Sequence, residues 1–68
     1  MKRSEIIKHI RQIAKNKGVA LTFEEGGGHT FVLFNGHKVT MIGRHTEINE
    51  NTAKGSIRAA ERWKETKP

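Results

Sequence analysis

The chain has no cysteine, which excludes disulfides and thiolate metal sites and leaves apolar packing, with or without a partner protein, to hold a fold. No apolar run approaches the ~20 residues that span a bilayer. Lys8, His9 and Arg11 interrupt the N-terminal segment where a signal peptide would carry its hydrophobic stretch. The expected compartment is therefore the cytoplasm, with no membrane partner. Repeats, low-complexity tracts and linkers are absent. So are H-E-x-x-H, the P-loop and the dinucleotide-binding fingerprint. Ser4 and Ser56 have no nucleophile-elbow context and the glutamates are scattered, so neither acyl transfer nor hydrolysis by a carboxylate pair has support. Acidic residues are also scarce.

Thirteen Lys and Arg stand against seven Asp and Glu, a formal charge of +6. The excess is uneven: residues 1–18 hold Lys2, Arg3, Lys8, Arg11, Lys15 and Lys17 against Glu5 alone. Such asymmetry fits a polyanionic partner, through steering and counterion release. Ordinary solubility charge accounts for it equally well. The 68 residues suit a single domain over 1–68, and a chain this short buries only about 60% of its unfolded surface. The candidate core is Ile6, Ile7, Ile10, Ile13, Val19, Leu21, Phe23, the run Phe31 to Phe34, Val39, Met41, Ile42, Ile48, Ile57 and Trp63. It suffices for two thin layers.

Ser4 as N-cap, Glu5 in the first turn and apolar residues at Ile6, Ile7, Ile10, Ile13 and Ala14 predict a helix over 4–17, closed by Gly18. Val19, Leu21 and Phe23 alternate with Ala20, Thr22 and Glu24 as a half-buried strand. Gly26-Gly27-Gly28 then reads as a flexible turn that breaks this strand and delivers His29 to the apolar run from Thr30 to Phe34. Residues 29–34 and 37–42 flank Asn35-Gly36, a strong hairpin signal. A regular two-residue turn places Phe34 opposite His37, Val32 opposite Val39 and Thr30 opposite Met41. Both faces of that hairpin are partly apolar, so the pattern leaves open which one the helices cover.

Gly43 to Glu50 reads as a loop around Arg44-His45. Asn49 or Asn51 can cap a second helix over roughly 52–64, with Ala53, Ile57, Ala60 and Trp63 inward. Lys54, Arg58 and Arg62 recur at four-residue spacing on another face, either a solvated face or a stripe that tracks phosphates. Residues 65–68 read as a frayed tail. The expected class is α+β in the order α-β-β-β-α, a three-stranded antiparallel sheet with two helices on one face. Double-stranded RNA-binding domains share this order, although order alone assigns no function.

Four histidines remain. His9 falls at the boundary of an amphipathic helix and His37 at a hairpin corner. His29, His37 and His45 recur every eight residues, but structural zinc sites combine Cys with His at shorter spacing, so no metal is expected. An imidazole titrates near neutrality, and glycines beside it admit a close backbone. RNA brings its own nucleophile, the 2′-OH, so its cleavage needs only positioning, a base and stabilised phosphate charge. One histidine with Lys or Arg donors meets that minimum without a cofactor. DNA, lacking the 2′-OH, would resist this route.

These residues resemble the HicA family of toxin mRNA interferases over nearly the whole chain. Members open with Lys-x-x-(Asp/Glu)-(Leu/Ile)-(Ile/Leu), here Lys2 to Ile7. A glycine turn ending in histidine follows, here Gly27-Gly28-His29. Next comes (Val/Ile)-Pro-Arg-His, here Ile42-Gly43-Arg44-His45 with glycine in place of the usual proline, a change expected to loosen the loop. Glu-Ile-Asn-x-x-Thr-Ala-x-x-Ile closes the set, matched here from Glu47 to Ala53, with Ile57 one residue beyond the position of the pattern's last isoleucine.

The resemblance implies a fold like that of double-stranded RNA-binding domains and metal-independent cleavage of mRNA, with His29 catalytic. It also implies a HicB-type antitoxin partner, with the toxin monomeric when free and heteromeric when neutralised. On that reading Gly27 and Gly28 admit the RNA. Lys38, Arg44 or the pair Lys54 and Arg58 contact phosphate, and His45 is a secondary acid or a loop-packing residue. Two alternatives stay open: a non-catalytic RNA-binding module on the same basic surfaces, and a protein-interaction domain that needs no RNA.

Overall fold

The computed structural model of the protein describes residues 1–64; the expected fraying of 65–68 lies outside them. The elements are α1 (Arg3–Lys17), β1 (Leu21–Gly26), β2 (His29–Phe34), β3 (His37–Gly43) and α2 (Glu50–Arg62). The strands form one antiparallel sheet in the order β1-β2-β3. This is the expected α+β arrangement. No helix among the described residues is long and apolar enough to cross a membrane.

The first helix begins earlier than its sequence suggests. Ser4 sits inside it and does not cap it; Lys2 takes the N-cap position without a side-chain cap. Tertiary pairing fixes that start, because Lys2 bridges Glu47 and Arg3 N–H donates to Thr46 O at 2.9 Å. At the other end Gly18 adopts φ 68°, while its N–H donates to Lys15 O and the Val19 N–H to Ala14 O. Together these bonds form a Schellman motif, which claims Val19 and delays the first strand to Leu21. The second helix also starts before its predicted residue: Asn49 Oδ1 accepts from Asn51 N–H at 2.8 Å. Its N-terminal turn thereby gains a cap worth about 1 kcal/mol.

Both helices lie on one face of the sheet and run parallel. Their starts meet where Ile48 N–H donates to Met1 O. Their ends meet where Lys17 Nζ donates to Glu61 O at 2.9 Å and Trp63 O at 3.1 Å. Between these ties Ile6, Ile10 and Ala14 of α1 and Ala53 and Ala60 of α2 pack on Val32, Phe34 and Ile42. Small residues on α2 let the helices approach the strands closely. Trp63 closes the far end, its ring edge-on to Phe34 at 5.4 Å between centroids.

The β2–β3 register departs from the regular hairpin. Phe34 does face His37 and Leu33 faces Lys38, but Val32 then faces Thr40, with Val39 inserted as a bulge. Thr30 accordingly faces Ile42 and not Met41. The bulge turns every later residue of β3 over. A β3 without it would place Met41 on the helix side and Ile42 outside. Instead Ile42 is 1% exposed in the core and Met41 is 51% exposed on the open face, where it lies opposite Phe31. Branched, shorter Ile42 fits a thin two-layer core better than flexible Met41. Ile42→Ala is expected to cost about 2–5 kcal/mol and Met41→Ala under about 1 kcal/mol. Urea midpoints of the two variants check this; the reverse order would restore the unbulged register.

Candidate functional site

The glycine run is tighter than a flexible loop. β1 continues through Gly26, which pairs with His29, so only Gly27 and Gly28 form the turn. Their φ values of 54° and 81° place both in the left-handed region, the requirement of a two-residue type I′ hairpin. Asn35 and Gly36, at 53° and 82°, make the matching turn at the other end of β2. His29 is thus the first residue of a strand held by neighbours on both sides. Its side chain is exposed on the open face, next to Phe31 of the same face. His29 Nδ1 lies 3.3 Å from Gly27 O. A carbonyl can only accept, so this contact favours the tautomer protonated at Nδ1 and leaves the Nε2 lone pair outward.

His29 opens onto a depression of about 330 Å³ shared with Met41, Gly43, His45, Glu47, Ile48, Asn49 and Thr52. Sheet end, bend and the start of α2 therefore meet at one place. His45 is exposed, and a Cβ at Gly43 would lie 3.8 Å from its Cδ2, so its ring rests over the Gly43 backbone. The α2 N-terminus adds backbone N–H groups and the positive end of a helix dipole. Glu47 supplies a carboxylate to the same rim.

The bend of residues 44–46, expected to be loosened by Gly43, is tied at three points. Arg44 Nη2 pairs with Glu25 Oε1 at 3.1 Å, Arg3 N–H binds Thr46 O, and Glu47 bridges Lys2. Behind it, Thr30 is 1% exposed. Its Oγ1 accepts from Arg3 Nη2 at 2.7 Å and donates to Glu25 Oε1 at 2.9 Å. A chain of polar contacts thus runs from Arg44 through Glu25 and Thr30 to Arg3, beneath the strand that carries His29. Neither Glu25, Thr30 nor Arg3 was marked by the sequence as part of a site. The available signal was the hairpin itself: a two-residue glycine turn puts Glu25 opposite Thr30.

The other expected contacts are dispersed. Lys38 lies on the open face with Nζ 4.6 Å above the Phe31 ring, a cation–π contact. Lys54 and Arg58 are exposed on α2 and do not line the His29 depression. His37 lies 6.1 Å from Trp63 between ring centroids, at the opposite end of β2 from His29. Among the described residues no group of three or more His, Asp or Glu is placed to hold a metal ion.

No family model, curated protein or solved structure matches the chain.

Thr30→Val would strip the shared hydroxyl from Arg3 and Glu25. The expected cost is about 1–3 kcal/mol. Glu25→Gln should cost under about 1 kcal/mol, because its ion pair with Arg44 is half exposed, at 55% and 52% of the two side chains. Urea denaturation of both variants measures the difference.

Proposed function

We propose that the protein is a metal-independent endoribonuclease cutting mRNA, the toxin of a toxin–antitoxin pair neutralised by a HicB-like protein. The observation that carries this reading is an exposed imidazole, His29, facing a depression that also holds His45 and the start of α2. The HicA-like motifs support the same histidine, and the basic charge of +6 supports a polyanionic substrate.

In the proposed reaction His29 Nε2 takes the proton of a ribose 2′-OH. The freed oxygen attacks the adjacent phosphorus, the bond from phosphorus to the 5′-oxygen breaks, and that oxygen leaves with a proton. His45 as imidazolium, or water, supplies that proton. The products are a 2′,3′-cyclic phosphate and a 5′-hydroxyl. Donors that stabilise the phosphorane come from the α2 N-terminus. His45 is exposed at the depression, which leaves it open to act as the acid, while its contact with Gly43 supports the loop-packing role. Arg44 acts as a phosphate contact at the margin, already oriented by Glu25.

Purified protein is expected to cut mRNA in EDTA, and His29→Ala to lose at least about 100-fold in rate, the scale of a general base. The variant should keep its far-ultraviolet circular dichroism, because the side chain is exposed. His45→Ala should lose less, since water can replace the acid. Tight RNA binding without scission by the wild type would instead establish the non-catalytic RNA-binding module.

A further inference from the structure

We infer that the cleft between the first turns of α1 and the 44–46 bend is a second subsite, which holds the RNA phosphodiester backbone flanking the bond to be cut. This deepens the ribonuclease reading and rests on it. The cleft measures about 700 Å³ and is lined by Arg3, Ser4, Lys8, Arg11, Arg44 and Thr46, together with one apolar residue. Four lining side chains are cations and none is a carboxylate.

Two of these cations are already oriented. Arg3 Nη2 donates to Thr30 Oγ1 and Arg44 Nη2 pairs with Glu25 Oε1. The loss of freedom that an anion would otherwise impose on them is incurred in folding. Lys8 and Arg11 are exposed and continue the line along the helix. From Arg3 to Arg11 is about 12 Å of helix axis at 1.5 Å per residue, too long for one phosphate group and suited to a polymer of them.

Continuity with His29 gives the cleft its place. The short segment from Gly43 to Glu47 is a wall shared by both depressions. Arg44 and Thr46 line the cleft, while Gly43, His45 and Glu47 line the His29 depression. A strand crossing this segment would present one phosphate to the histidines and its neighbours to Arg44, Arg3, Lys8 and Arg11. The uneven charge of residues 1–18 then has a use that the His29 site alone does not provide.

The test measures binding of a fluorescent RNA oligonucleotide, 2′-O-methylated throughout so that it has no nucleophile, as a function of salt. Lys8→Gln with Arg11→Gln is compared with Lys15→Gln and Lys64→Gln, a pair that removes equal charge outside the cleft. The first pair is expected to bind about tenfold more weakly. Its salt slope should be shallower by about 1.4, near 0.7 for each phosphate of a single strand that is no longer neutralised. Urea midpoints of both pairs should match the wild type, since all four side chains are exposed.

Equal affinity and slope for the two pairs would overturn the subsite. So would unchanged RNA binding accompanied by weakened binding of a poly-glutamate peptide, which would make the occupant an acidic protein. Cleavage of unmodified RNA separates the two readings. If the wild type does not cut it but the slope falls as expected, the backbone subsite stands and the nuclease falls. If it cuts and the slopes agree, the nuclease stands and the subsite falls.

Discussion

Alternate residues of a β-strand face opposite sides, and β2 sets Thr30, Val32 and Phe34 beneath two helices, with Leu33 buried as well on the other face. Most of the molecule follows from that alternation. His29 and Phe31 must face the other way, which puts the imidazole in solvent. The next strand must deliver an apolar residue opposite Thr30, and the Val39 bulge does so by bringing Ile42 there. Thr30 is the polar exception in the buried row. Burying a hydroxyl without partners costs free energy, and Arg3 and Glu25 remove that cost. Through Glu25 the same bonds reach Arg44 and steady the bend that carries His45.

Parallel helices concentrate donors at one end of the fold. The N-terminal segment and the start of α2 are stitched together by Met1, Lys2 and Arg3 against residues 46–48. Both helix dipoles therefore point their positive ends toward the strand end that holds His29. On the opposite end Lys17 satisfies carbonyls of α2, and His37 and Trp63 pack by Phe34. The candidate chemistry and the apolar closure occupy separate ends of a domain only about two layers thick. This separation lets the proposed site remain open while the core stays dry.

Periodicity made the helices and strands legible, because burial of one face imposes 3.6- and 2-residue patterns directly on the residue order. The Asn35-Gly36 turn was equally plain, since few residue pairs accept positive φ at both positions. Two features resisted. A glycine triplet is compatible with many loops, and only pairing of Gly26 with His29 selected the two-residue turn. The bulge at Val39 leaves no local mark: with Val39, Met41 and Ile42 all apolar, the pattern tolerates either phase. Helix starts also shifted by one or two residues, because tertiary pairing of Lys2 and Arg3 replaced the expected Ser4 cap and the Asn49 side chain capped α2 through Asn51 N–H.

For the candidate site, residue order alone singled out His29 and His45 and offered Arg44, Lys38 or the pair Lys54 and Arg58 as alternative phosphate contacts, through glycine neighbours, charge and the HicA-like motifs. It also determined the α-β-β-β-α order and the cationic bias of the N-terminal third. Only the tertiary structure decided that Lys38, Lys54 and Arg58 do not line the His29 depression, that Arg44 is held by Glu25, and that Arg3, Lys8 and Arg11 share a cleft with it. The physical reason is that periodicity reports which residues share a face of one element. Which faces meet depends on register, a bulge and the packing of helices on the sheet, and these are contacts between residues far apart in the chain.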